Sequence, residues 1–142
     1  MIIISPYAKK LLNDKENPKN YPFWNELIAL IDEPIVQIGI DGENPLVDDF
    51  RPNLSLSELK GLIAQCRIWI GVDSFFQHLA WSEKKPGIVL WSVSDPLIFG
   101  HPENNNLLKS RDNLAQNQFL WWDFIEHDKE KFVSPEEVIK FI

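Results

Sequence analysis

Ile68-Trp69-Ile70-Gly71-Val72-Asp73-Ser74-Phe75-Phe76-Gln77-His78-Leu79-Ala80 runs from a short apolar stretch rich in β-branched residues directly into a segment of helical character. The apolar part, Ile68–Val72, reads as a buried strand, and Asp73-Ser74 is the turn that passes the chain to a helix. Ser74 and His78 are four residues apart and so share a face of that helix. A strand feeding a helix through a polar turn is the unit from which parallel sheets are built.

The rest of the chain repeats the pattern. Ile2–Ile4, Ile35–Ile38 and Ile88–Trp91 are further apolar runs, each bounded by Gly, Pro, Ser or Asp. Between them lie Pro22 to Ile31, with Phe23, Leu27, Leu30 and Ile31 on one face, and Ser55 to Cys66, with Leu56, Leu59, Ile63 and Cys66 on one face. Ser55-Leu56-Ser57-Glu58 is a capping box opening the second of these helices, and Ser134-Pro135-Glu136-Glu137 is another opening a C-terminal helix to Ile142. Alternation of this kind implies right-handed crossovers and an α/β fold, a Rossmann-like parallel sheet with helices on both faces. Between Asp95 and Glu130 the reading stays open: Asn104-Asn105-Asn106 is turn chemistry, and Phe119-Leu120-Trp121-Trp122 is a late strand or a covering flap. With no repeat or linker, residues 1–142 are expected to form one domain.

Composition narrows the partners. Apolar residues make up 44% of the 142 and charged residues 25%, the usage of a packed globular chain. A formal charge of −7 argues against a nucleic-acid surface. No apolar run approaches the roughly 18 residues of a membrane span, and the N-terminus lacks the features of a signal peptide. Cys66, the one cysteine, is expected to be a small core residue, and a reducing cytoplasm is the expected setting.

In a parallel sheet ligands bind beyond the carboxyl ends of the strands, and each of those loops carries polar residues. Lys19 follows the first strand, Glu43 the second, Asp73 and Ser74 the third, and Asp95 the fourth. Lys19 can neutralise a phosphate, Glu43 can accept ribose hydroxyls, and Asp73 or His78 can bond sugar hydroxyls while first-turn amides hold a phosphate. Each also has a plainer reading. Ser74-Phe75-Phe76-Gln77 is itself a capping box, Asp41-Gly42-Glu43 a turn, and Asp95-Pro96 a turn initiator. His101 and His127 have no partner at metal-ligand spacing, so no metal is expected. Dinucleotide, P-loop and hydrolase motifs are missing.

The order of these motifs resembles the C-terminal half of family 9 glycosyltransferases, the heptosyltransferase family. Lys19-Asn20-Tyr21-Pro22 is similar to its K-x-W-P segment, and Val36-Gln37-Ile38-Gly39 with Glu43 to its second strand and acidic loop. Asp73-Ser74-Phe75-Phe76-Gln77-His78-Leu79-Ala80 resembles D-[ST]-G-x-x-H-x-x-A, while Lys85–Trp91 and Ser94-Asp95-Pro96 resemble K-P-x-x-x-L-[FW]-G and T-D-P. The resemblance implies one half-domain of a GT-B fold that binds a nucleotide-sugar as substrate, with no metal or other cofactor. It implies that Lys19 contacts the diphosphate, Glu43 the ribose, Asp73 the donor sugar and Ser74 the phosphates, with His78 and Asp95 in the same pocket. Phe75 departs from the pattern, standing where the family has Gly.

The catalytic residue is not identified by the resemblance, because the acceptor site and the base belong to the other half. A glycosyltransferase that needs an acceptor-domain partner or a homo-oligomer is therefore the first functional expectation. The alternatives are a non-catalytic nucleotide-sugar module and an interaction protein with a decayed pocket. Trp121, Trp122, Phe124 and Ile125 are expected to cover the cleft side, as a folded-back flap or, preferably, as an association surface.

Overall fold

The computed structural model describes residues 1–142. Six strands form one sheet: β1 (Ile2–Ser5), β2 (Ile35–Gly39), β3 (Phe50–Pro52), β4 (Ile68–Val72), β5 (Ile88–Trp91) and β6 (Asn105–Leu108). Their order is β3-β2-β1-β4-β5-β6 and every pairing is parallel. This is the doubly wound, Rossmann-like arrangement, in which the chain builds outward from β1 in one direction and then returns to build in the other. The turning point lies between β1 and β4, where Ile4 stands beside Ile70 and Ser5 beside Gly71.

The helices α1 (Trp24–Ala29), α2 (Leu56–Gln65), α3 (Phe75–Ser82), α4 (Pro96–Phe99) and α5 (Pro135–Ile139) join the strands and close the chain. Alternate strand residues point to opposite faces, and both faces are covered. On one, Ile2, Ile4, Ile70 and Val72 pack with Tyr21, Trp24 and Leu27 of the α1 region and Val138 of α5. On the other, Ile3, Val36, Trp69 and Val89 pack with Leu62 and Ile63 of α2 and Phe76 and Leu79 of α3. Burying large side chains of this kind is worth roughly 1.5–3 kcal/mol apiece. Trp69 and Trp91, both buried, still have their indole N–H groups satisfied, donating to the Lys85 carbonyl (2.8 Å) and Asn106 Oδ1 (3.0 Å). Cys66 is a buried, free thiol at the end of α2.

Several local expectations need correction. Only the first of the three asparagines belongs to a turn, Asn104 N–H closing on the His101 carbonyl (3.1 Å); β6 starts at Asn105, and Asn104 and Asn106 spend their side chains on Gly87 N–H, the Trp91 indole and the His101 carbonyl. Helix α1 is shorter than Pro22–Ile31, spanning Trp24–Ala29, and no side chain caps its start. Ser55 forms both halves of its capping box, whereas Ser134 accepts from Glu137 N–H and α5 stops at Ile139. Ser74 makes no side-chain cap bond. Phe119–Trp122 is not a strand; it leads into a 3-10 turn over Trp122–Phe124. No helix is long and apolar enough to cross a membrane.

Candidate functional site

Beyond the carboxyl ends of β1, β2 and β4 opens a cleft of about 1000 Å³. Lys19 reaches it from the loop between β1 and α1, which is braced by buried amides. Asn17 Nδ2 donates to the Lys9 carbonyl (2.8 Å), Asn17 Oδ1 accepts from Lys19 N–H (2.9 Å), and Asn20 Oδ1 accepts from Ala8 N–H (2.7 Å). Ser92, at the end of β5, donates its hydroxyl to the Pro18 carbonyl (2.9 Å). The lysine side chain therefore leaves a backbone fixed on both sides.

Lys19 Nζ meets Asp73 Oδ2 at 3.3 Å, with the two side chains only 15% and 9% exposed. Gln77, one helical turn further on and fully buried, donates Nε2 to Asp73 Oδ1 at 2.8 Å. Both carboxylate oxygens are thus oriented, one by a cation and one by an amide. Lys19 also lies 5.3 Å from the centre of the Trp122 ring, a cation–π contact. Ser74 and Phe75 continue the wall into the first turn of α3, whose free backbone N–H groups carry the partial positive charge of a helix N-terminus.

The opposite wall is the loop after β2, which turns at Gly42 with φ of 91°. Glu43 folds back so that its Oε1 accepts from Ile40 N–H at 2.8 Å, and burial pushes its carboxyl pKa above the usual range. A side chain on Gly39 would collide with Glu43 Oε1, so the glycine makes room for that carboxylate. Tyr7 ties the first loop to this wall, its hydroxyl donating to the Asn44 carbonyl at 3.0 Å.

Lys19, Glu43, Asp73 and Ser74 therefore share one cleft, as the sequence suggests. His78 lies at the exposed rim, in an adjoining cavity that also touches Lys19, Asp73 and Ser74. Its Nδ1 is 2.8 Å from Nε2 of His101, and the His101 ring stacks on Trp81 at 4.5 Å. Partial burial and the neighbouring His101 hold His78 below the ordinary imidazole range. Asp95 lines neither cavity. Its carboxylate takes two bonds from Arg111 (2.8 and 3.1 Å) and one from Leu97 N–H (2.9 Å), which caps α4, and the Arg111 bonds hold its pKa low. No group of three or more metal-ligating side chains forms.

Gln77 and Tyr7 receive no role in the cleft from the sequence, His101 is weighed there only as a metal ligand, and Trp122 only as cover for the cleft side. For Gln77 a signal exists, because it stands four residues after Asp73. The other three meet their partners only through the tertiary fold.

The fold is that of a Rossmann-like domain with an open cleft at its topological switch point. Among known families, glycosyltransferase family 9 (heptosyltransferase) matches residues 35–120, more than half of the chain, and the protein belongs to that family. It is similar to lipopolysaccharide heptosyltransferase 1 of Salmonella typhimurium (strain LT2), with 27% identity over 118 residues, covering 72% of this chain and 37% of the relative. The chain thus spans little more than a third of the length of that relative. No solved structure matches it significantly. Lys19 precedes the residues that the family matches, and Glu43, Asp73, Ser74 and His78 lie within them.

Proposed function

We propose that this domain binds the nucleotide-sugar donor of a glycosyl transfer reaction. The observation that carries the reading is the union in one cleft of Lys19, the first turn of α3 and Glu43, with Asp73 between them. Lys19 and the α3 amides hold the diphosphate, Glu43 accepts the ribose hydroxyls, and Asp73 takes hydroxyls of the transferred sugar. Lys19 has three N–H donors and gives one to Asp73, which leaves two for phosphate oxygens. No metal or organic cofactor enters this reading.

Transfer to an acceptor hydroxyl needs a base within hydrogen-bond reach of that hydroxyl. Asp73 is engaged by Lys19 and Gln77, and Asp95 by Arg111. The base and the acceptor site therefore fall to a second surface, an acceptor-binding domain or another copy of this chain, in a cytoplasmic setting. The internal engagement of both Asp73 and Asp95 also supports a second reading, a donor-binding module that does not turn over by itself.

The test is thermal unfolding of the chain with adenosine, guanosine, uridine and thymidine diphosphates and their hexose conjugates. A ligand specific for the folded state at ~100 times its Kd adds about 2.7 kcal/mol, a plainly visible rise in Tm. A rise with one nucleotide series, weakened in Lys19→Ala, is expected. No rise with any conjugate at millimolar concentration would overturn the proposal.

A further inference from the structure

Helix α3 carries His78 and Trp81 three residues apart, and so on one face, and the loop after α4 lays His101 against both. His78 Nδ1 stands 2.8 Å from His101 Nε2, with the ring centres 5.0 Å apart and the planes at 80°. The His101 ring is stacked on the Trp81 indole, with centres 4.5 Å apart and planes within 10°. Its backbone is held as well, because the His101 carbonyl accepts from Asn104 N–H (3.1 Å) and from Asn106 Nδ2 (2.9 Å). Two imidazoles from separate elements thus meet nitrogen to nitrogen at the surface, each on a fixed support.

A hydrogen bond between exposed imidazoles gains little over the bonds that each ring makes with water. The same juxtaposition is what a transition-metal ion requires. Nitrogens that lie ~2.0–2.1 Å from one ion stand ~2.8–3.0 Å apart at a right angle and ~3.3–3.4 Å apart in a tetrahedron. The observed 2.8 Å meets the first of these, so the rings must tilt until both lone pairs converge on the ion, while the backbone can stay in place. Neither outer nitrogen, His78 Nε2 or His101 Nδ1, is bonded within the chain. The N–H that joins the pair can therefore move to the outer nitrogen of its own ring, which leaves two neutral imidazole ligands and releases no proton. A formal charge of −7 also draws cations rather than anions to the surface.

We propose that His78 and His101 form a two-histidine chelate for a divalent transition-metal ion, with copper bound more tightly than nickel or zinc. The order follows from imidazole ligation and the general affinity series of these ions. No third metal-ligating side chain joins the pair, so water completes the coordination shell. Magnesium and calcium, which take oxygen ligands, do not suit the site. An ion here cross-links α3 to the loop after α4. It is independent of the donor reading, and no step of glycosyl transfer runs through it.

The test is titration of the full chain with Cu²⁺, Ni²⁺, Zn²⁺ and Mg²⁺ in a non-coordinating buffer at neutral pH, followed by calorimetry, thermal unfolding and electron spin resonance. One Cu²⁺ per chain is expected, with a spectrum that shows coupling to two imidazole nitrogens. Cu²⁺, Ni²⁺ and Zn²⁺ should raise the Tm and Mg²⁺ should not. His78→Gln and His101→Gln should each weaken Cu²⁺ binding at least about tenfold and remove the rise in Tm. The third histidine, His127, is bonded to the Asn20 carbonyl, and His127→Gln should leave Cu²⁺ affinity unchanged. A readout that needs no variant is NMR of the unaltered chain, where substoichiometric Cu²⁺ should broaden the Trp81 indole N–H first among the six tryptophans. Cu²⁺ affinity unchanged in either His78→Gln or His101→Gln overturns the proposal. So does a spectrum with a single imidazole or with the terminal amine of Met1 as the nitrogen ligand, broadening that begins away from Trp81, or Cu²⁺ bound no more tightly than Mg²⁺.

Discussion

The Asp73 carboxylate is largely buried, oriented by Lys19 and Gln77, and still lines the cleft. With both partners of the Lys19–Asp73 pair largely buried, removal of either leaves the other without its counter-charge in a poorly solvated place. Lys19→Met and Asp73→Asn are each expected to lower stability by about 1–3 kcal/mol, the cost of an unsatisfied buried polar group. The double variant is expected to lose less than the two losses added together, and a double-mutant cycle by urea unfolding checks this. Strict additivity would show that the two side chains are not coupled in the fold. This differs from what placement in loops suggests, namely that such residues can be removed at little cost to stability. Gly39→Ala offers a subtler probe on the opposite wall. The new methyl displaces the flexible end of Glu43, so nucleoside diphosphate binding should weaken in Gly39→Ala, as is also expected for Glu43→Gln, while the melting temperature holds. A large loss of stability in Gly39→Ala would contradict this, because it would mean that backbone yields rather than the carboxylate. The carriers of charge in the cleft were legible because each follows a strand end, where the sheet rule says to look. Asp95 also follows a strand, yet the proline after it marks a helix start, and its carboxylate serves the cap and Arg111.

At the level of elements, the four interior strands are readable as apolar runs because both faces and both edges of each are covered. β3 and β6 were invisible for the converse reason. They are the sheet edges, and an edge strand needs no continuous apolar run and tolerates a proline such as Pro52. Asn105 and Asn106 read as a turn by composition, but a side chain that satisfies the Trp91 indole is as useful to β6 as an apolar one. The helix starts show how similar sequence patterns diverge. Ser55 accepts from Glu58 N–H at 3.1 Å, whereas Ser74, also followed three residues later by a residue fit for a capping box, has no cap bond. Ser55→Ala is therefore expected to cost about 1 kcal/mol, and Ser74→Ala close to nothing, as read by urea midpoints. Equal losses would show that Ser74 is a structural cap after all. At Gly87 a methyl would run into the buried Trp69 indole, a rigid ring that donates to the Lys85 carbonyl nearby. Gly87→Ala should cost about 1–3 kcal/mol through overpacking.

Over the whole molecule the titrating groups set a pH profile whose sign can be worked out. Hydrogen bonds from Arg67, Arg51, the Ser55 N–H and Arg111 hold Glu33, Asp49, Glu58 and Asp95 below the usual carboxylate range. Each contributes stability that is present above the unfolded value of ~4 and is lost as pH falls through the lower folded one. Glu43 acts the other way, since its raised value means that burial penalises the ionised form and protonation relieves the penalty. One such group opposes four. His78 adds to the loss earlier in the descent: its folded value is depressed, so the unfolded chain takes up the proton first as pH drops below about 6.5. Working against this is the net charge of −7, whose self-repulsion fades as pH approaches the isoelectric point near 4.9. At physiological salt that relief is small, because charges more than about 8 Å apart are largely screened. Thermal unfolding followed by circular dichroism should therefore give a highest Tm near neutrality, a shallow decline below about pH 6.5 and a steep one below about pH 4. His78→Gln should flatten the shallow part and leave the steep part alone. At low salt the unscreened repulsion grows and the optimum should move to lower pH. A Tm that climbs steadily down to pH 4 at physiological salt would mean that charge repulsion, and not the paired carboxylates and His78, governs how this molecule responds to acid.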